Sequence, residues 1–109
     1  MRDRDGYRLS MFASHVDESF EIEFDSGERR AVQLVEAEGR SRGNGDTSDV
    51  GDFSLVFHDR AASVESYLPQ AVYRFVHDHV GAADLFVVPI GPDETGEGMR
   101  YEAVFTERG

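Results

Sequence analysis

The chain contains no cysteine, no tryptophan and no lysine among its 109 residues, and only three prolines. Without cysteine there can be no disulfide, no thiolate nucleophile and no cysteine-ligated metal. Without lysine, all 11 basic residues are arginine, set against 22 acidic residues for a formal charge of -11. Long apolar runs are missing too. The longest, Leu85 to Ile90, is strand-sized and far short of the roughly 18 residues that mark a membrane-spanning helix. The opening residues, MRDRDGYRLS, carry arginines with no apolar stretch behind them. They do not read as a secretory signal, and the expected location is cytoplasmic.

An acidic surface of this density repels itself at low ionic strength and is screened at high salt, where the Debye length falls to about 3 Å at 1 M. Acid in excess, with arginine as the only base besides histidine, is the composition expected of a halophile, a haloarchaeon in particular. A GC-rich genome, which favours arginine codons, is the alternative source of the same bias. Either origin disfavours nucleic acid as a partner, because phosphate neutralisation needs a basic face. Arg40 and Arg42 in one loop do not make such a face.

What the sequence does have is alternation. Residues 1 to 8 read as a charged arm, and 9 to 109 as one β-rich domain. Ser10 is placed to cap a short helical turn over Met11 to His15. Phe20, Ile22 and Phe24 then alternate with Glu21 and Glu23, the pattern of a half-buried strand. The turn DSGE, with Gly27 where a positive φ is cheap, predicts an antiparallel return over about residues 30–38, Val32 and Leu34 facing inward. Val35 and Ala37 break the period there, which predicts a bulge. Residues 39–52, GRSRGNGDTSDVGD, read as a long solvated loop. Its Asp46, Asp49 and Asp52 lack the spacing of a helix-flanked calcium site.

Four further strands follow: FSLVFHD; VYRFVH, with Tyr73, Phe75 and His77 on one face; and the two of the hairpin DLFVVPIGPDETGEGMRYEAVF. AASVESYLPQ, lying between the first two, reads as a crossing between sheets. In the hairpin Leu85, Val87 and Pro89 share one side, and Phe86, Val88 and Ile90 the other. Pro89, which has no N–H to donate, predicts a strand end or sheet edge. The whole predicts an all-β fold, a small antiparallel barrel or sandwich of about six strands with one short N-terminal helical turn.

The blocks FSLVF (53–57), LPQAVYRFVHDHVG (68–81), LFVVPIGP (85–92) and YEAVF (101–105), in this order, resemble an uncharacterised bacterial and archaeal family of domains of unknown function. A fainter likeness runs through Phe12, Phe20 and Leu34. The resemblance implies a small β-rich domain with no established activity, and a structural partner of the tail-fibre or surface-assembly kind. The acidity departs from the family pattern, as does Ala71, where the family tends towards glycine. No catalytic residue carries over.

Candidates for chemistry are few. His77 and His79 stand two apart, so on an extended strand both imidazoles project to one face and can ligate one metal, with His58 or Glu102 as a third ligand. A histidine continuing the Tyr73–Phe75 face is more often a hydrogen-bonded core residue. Glu102 reads as an outward charge available to Arg74 or Arg100, a contact worth about 0–1 kcal/mol when exposed. There is no nucleophile elbow, and GPDETGEG lacks the ending of a phosphate loop. It is a hairpin turn.

Two functions remain. The first, and the favoured one, is a non-enzymatic structural or interaction module without cofactor, engaging a protein partner or itself through Val87, Val88, Pro89 and Ile90, or adding a strand to an open sheet edge. The second is a small-ligand or metal-binding barrel, or an enzyme built on His77, His79, Tyr73 and Glu102.

Overall fold

The computed structural model describes residues 9–39, 53–63 and 66–105. Asp46, Asp49 and Asp52, the arm at 1–8, and both Arg40 and Arg42 lie outside them. One short helix, α1 (Leu9–Ala13), precedes six strands: β1 (Ser19–Glu23), β2 (Arg29–Gly39), β3 (Phe53–Asp59), β4 (Ala71–His77), β5 (Gly81–Gly91) and β6 (Met99–Phe105). The helix starts one residue before Ser10, so that serine lies within it and does not cap it. Among the described residues no helix is long and apolar enough to cross a membrane.

The strands pair antiparallel throughout and close into a barrel of order β1-β2-β3-β6-β5-β4. Closure is made by β4 against β1, where Glu21, Ile22 and Glu23 meet Val76, Phe75 and Arg74. The sheet thus has no free edge along its wall, which removes strand addition as a mode of docking. The bulge expected in β2 falls between Leu34 and Glu36. Pro89 marks neither an edge nor a strand end. It sits where the register of β5 against β6 shifts, between Pro89 and Gly91, and such an irregularity tolerates a residue without an N–H.

Alternation decides what fills the barrel. Phe20, Ile22, Val32, Leu34, Phe53, Leu55, Phe57, Phe75, Leu85, Val87, Tyr101 and Ala103 are all buried. Phe57 meets Phe20 edge-on at 5.4 Å and Phe75 at 4.6 Å, so rings from different strands touch across the interior. These rings occupy the middle of the barrel. Phe12 of α1 plugs one end against Phe20, Phe53 and Phe105.

The described residues between β3 and β4, 60–63 and 66–70, lie at the opposite end. The strands they connect stand three apart round the wall of one closed barrel, so there are not two sheets to cross between. Ala62 packs into the core, the Leu68 amide donates to the Tyr101 hydroxyl at 2.9 Å, and the Tyr73 hydroxyl donates to the Pro69 carbonyl at 2.7 Å. Burial raises the pKa of both tyrosines.

The β5–β6 turn is organised by one carboxylate. Asp93 Oδ1 accepts from the Thr95 amide (2.9 Å), the Thr95 hydroxyl (2.7 Å) and the Glu97 amide (2.9 Å). These donors, the Glu97 amide foremost, favour the ionised form and pull the pKa from 3.8 down to about 2. A depressed folded-state pKa gives a contribution that is complete above the unfolded value and is lost as pH falls through the folded one. The Asp93 carboxyl resonance is accordingly expected to titrate near 2 by NMR, with the turn loosening between 3.8 and 2. A midpoint at the ordinary 3.8 would show that these hydrogen bonds are not made in solution.

Candidate functional site

Chemistry-bearing side chains converge at the α1 end of the barrel. After α1 the chain turns through residues 14–17, and Asp17 takes a left-handed φ of 79°, which aspartate tolerates better than most residues. The Asp17 amide donates to the Leu34 carbonyl, and the Leu34 amide donates to the Glu18 carbonyl. This stretch is therefore tied to β2, and Glu18 is turned back beneath His15.

On the other side of the seam β4 ends at His77, the last inward position of that strand, whose ring lies 4.5 Å from that of Phe20. His77 Nδ1 accepts from the amides of His79 (3.0 Å) and Val80 (3.3 Å), acting as the cap of the β4–β5 turn. That fixes its tautomer: Nδ1 bears the lone pair, so Nε2 carries the hydrogen and donates to Glu18 Oε1 at 2.8 Å. His15 Nδ1 donates to the same oxygen at 2.9 Å. Two imidazole N–H groups thus share one carboxylate oxygen. The His77 bond, then the His15 bond, hold the Glu18 pKa below its ordinary value, and the group is ionised at neutral pH.

His79 completes the cluster from the turn. Its ring stacks nearly parallel to His15 with centroids 5.7 Å apart, and lies 5.8 Å from the ring of His77. His15 and His77 are 4.5 Å apart. Three of the chain's four histidines therefore meet at one spot, above an open depression lined by Glu18, Ser19, Glu21, Arg29, Val76, His77, Asp78 and His79.

Of the residues singled out from sequence, His77 and His79 do come together, though through the turn and not through strand alternation. His58 does not join them. It lies on β3, three strands from β4 in either direction round the barrel. There its Nε2 is 3.1 Å from the Glu97 carbonyl oxygen and 3.5 Å from Asp93 Oδ2. Glu102 faces outward on β6, opposite Val56 and Val88. Arg74 pairs with Asp84 at 3.4 Å, and Arg100 Nε donates to the Pro92 carbonyl. Tyr73 lies towards the opposite end of β4, against Phe24. His15 and Glu18 escaped the sequence reading. Their only signal was an i, i+3 spacing in a polar connection, with nothing to link them to residues some sixty positions on.

The hairpin residues expected to form an interaction surface divide. Val87 is fully buried in the barrel and offers nothing to a partner, Val88 and Pro89 are half-buried, and Ile90 is exposed. The outward apolar residues lie around them: Val72 is 61 % exposed, Phe86 52 %, Val104 45 % and Ile90 41 %. Val72 pairs with Phe86, and Val104 stands two residues beyond Glu102, the partner of Val88. Val72, Phe86 and Val104 therefore form a row across three adjacent strands. The outer wall of β1 and β2 is polar by contrast, with Ser19, Glu21, Glu23, Gln33, Glu36 and Glu38 outward and Arg29 bridging Glu21 (2.9 Å) and Glu23 (3.4 Å).

A family model described as Domain of unknown function (DUF6916) matches residues 7–105. No curated protein and no solved structure matches the chain.

Proposed function

This chain belongs to the DUF6916 family of domains of unknown function, and we propose that it works as a non-enzymatic interaction module that docks through the outer wall of β4, β5 and β6 against a second copy of itself, as the unit of a larger structural assembly. The observation that carries this reading is the exposed row Val72–Phe86–Val104, extended by Val88 and Ile90, against the polar outer wall of β1 and β2. Contiguous apolar surface left in water is costly and marks a place that another surface covers.

Charge favours self-association through this wall over the acidic wall of β1 and β2. With a net charge of -11, two copies can approach only where carboxylates are sparse. Pairing through β4–β6 turns the acidic β1–β2 walls away from each other. Arg74 and Glu102 lie on opposite diagonals of Phe86, each one step along its own strand from the row. A two-fold axis passing by Phe86 at right angles to the Arg74–Glu102 diagonal sets Arg74 of one copy over Glu102 of the other, twice, as an isologous contact requires.

Size-exclusion chromatography with light scattering tests this in about 2 M KCl, where charge repulsion is screened within about 3 Å. Over a roughly hundredfold range of concentration the wild type is expected to run as a dimer or larger species. Phe86→Asp is expected to run as a monomer with an unchanged circular dichroism spectrum. A wild type that stays monomeric throughout, or a Phe86→Asp variant that still associates, refutes the reading.

A further inference from the structure

We propose that His15, Glu18 and His79 form a binding site for a divalent transition-metal ion of the zinc class, which clips the turn after α1 to the β4–β5 turn, while His77 positions the carboxylate. The inference is independent of the docking surface, which lies on the outer wall of β4–β6 and uses none of these residues.

Donor chemistry is the first support. Two imidazoles and a carboxylate are the ligands that borderline-soft divalent ions take when no thiolate is present. Two imidazoles on one tetrahedral ion, each with a metal–nitrogen distance of about 2.1 Å, have centroids roughly 5 Å apart. The ligand atoms of His15, Glu18 and His77 already lie within 4.8 Å of one another. The His79 ring stands 5.7 Å from that of His15 and nearly parallel to it, and being exposed it is free to turn a ring nitrogen towards the ion. Glu18 is partly exposed, with its side chain at 48 % accessibility, so an ion can reach it from solvent.

Hydrogen bonding assigns His77 its separate part. Its Nδ1 is occupied by two backbone amides, and its Nε2 must carry the proton. Ligation through Nε2 would require an imidazolate. The ring instead donates to Glu18 at 2.8 Å, fixing the carboxylate as outer-shell partners of metal sites do. His15 has no such restriction. Its Nδ1 hydrogen can move to Nε2, freeing Nδ1 to face the ion beside Glu18.

Isothermal titration of chelator-treated protein with Zn²⁺ tests the proposal, with Co²⁺ absorption as a second readout of geometry. The expected result is one ion per chain, a tetrahedral Co²⁺ spectrum, and a melting temperature raised by Zn²⁺. His15→Ala, His79→Ala and Glu18→Gln are each expected to weaken binding at least about tenfold. Circular dichroism of each metal-free variant separates loss of the site from loss of the fold. If His15→Ala unfolds, the exposed His79→Ala decides alone. No binding above that of scattered surface carboxylates, or binding unchanged in a folded His79→Ala, overturns the site. Loss of binding in His77→Gln with His79→Ala unaffected overturns the division of roles.

Discussion

Replacing Phe57 with alanine is expected to lower the unfolding free energy by about 3–5 kcal/mol. Phe57 is fully buried at the middle of β3, and its ring joins Phe20 of β1 to Phe75 of β4 through the centre of the barrel. These two strands share the seam that closes the barrel, which contains only three residue pairs. Losing the ring removes its transfer free energy and leaves a cavity that three strands held in a closed wall cannot collapse to fill. Stability for a domain of this size is about 5–15 kcal/mol, so the variant sits near the edge of folding. Denaturant titration at constant salt should show a large fall in midpoint with little change in slope. Phe86→Ala, on the exposed row, serves as the comparison and is expected to change stability by no more than about 0.5 kcal/mol in the monomer. A Phe57→Ala loss below about 1 kcal/mol would mean that the rings do not pack as described.

The second large effect comes from a glycine. Gly98 precedes β6 with a φ of +65°, and a Cβ built there would lie 2.5 Å from the Asp59 carbonyl oxygen and 2.7 Å from His58 Nε2. Gly98→Ala therefore incurs two separate costs. The left-handed backbone costs an L-residue about 1–2 kcal/mol, and pushing the end of β3 away costs about 1–3 kcal/mol more. Gly27, at φ +94° in the β1–β2 turn, has nothing within 4 Å of the same added carbon. Gly27→Ala should show the backbone cost alone, so the difference between the two variants isolates the clash. Equal losses at the two positions would show that β3 yields freely and that the close approach of Gly98 to Asp59 is not a constraint.

Much of this architecture was legible because strands write a period of two into the sequence. Phe20 and Ile22, Val32 and Leu34, Leu85 and Val87, and Tyr101 and Ala103 announce their inward faces, and Gly27 announces its turn. The irregularity at Val35 was legible for the same reason, since a bulge interrupts that period. Closure was not. Whether six strands form two layers or one ring depends on whether β4 returns to β1, and three pairs at Glu21–Glu23 leave no mark on either strand. Pro89 misled because a missing N–H is equally compatible with an edge and with a register shift inside a closed wall. Val87 was misplaced because a strand apolar on both faces does not reveal which face is inside. The histidine cluster was half legible. His77 and His79 are neighbours in sequence, but the carboxylate they meet comes from a connection fixed by the left-handed turn at Asp17 and by the Leu34 backbone. Composition cannot express that kind of proximity.

The strand order also governs how the molecule assembles itself. Read round the wall, β1-β2-β3 and β6-β5-β4 are two meanders, and within the second every pairing joins neighbours along the chain through a short turn. Uniting the halves requires Leu55 to find Ala103 and Ile22 to find Phe75. Both encounters enclose long stretches of chain, whose ordering entropy is lost before any burial compensates for it. The slow step in forming this protein is therefore the meeting of its two halves, and substitutions along the β3–β6 joint should slow refolding where those in the β4–β5 turn leave its rate alone.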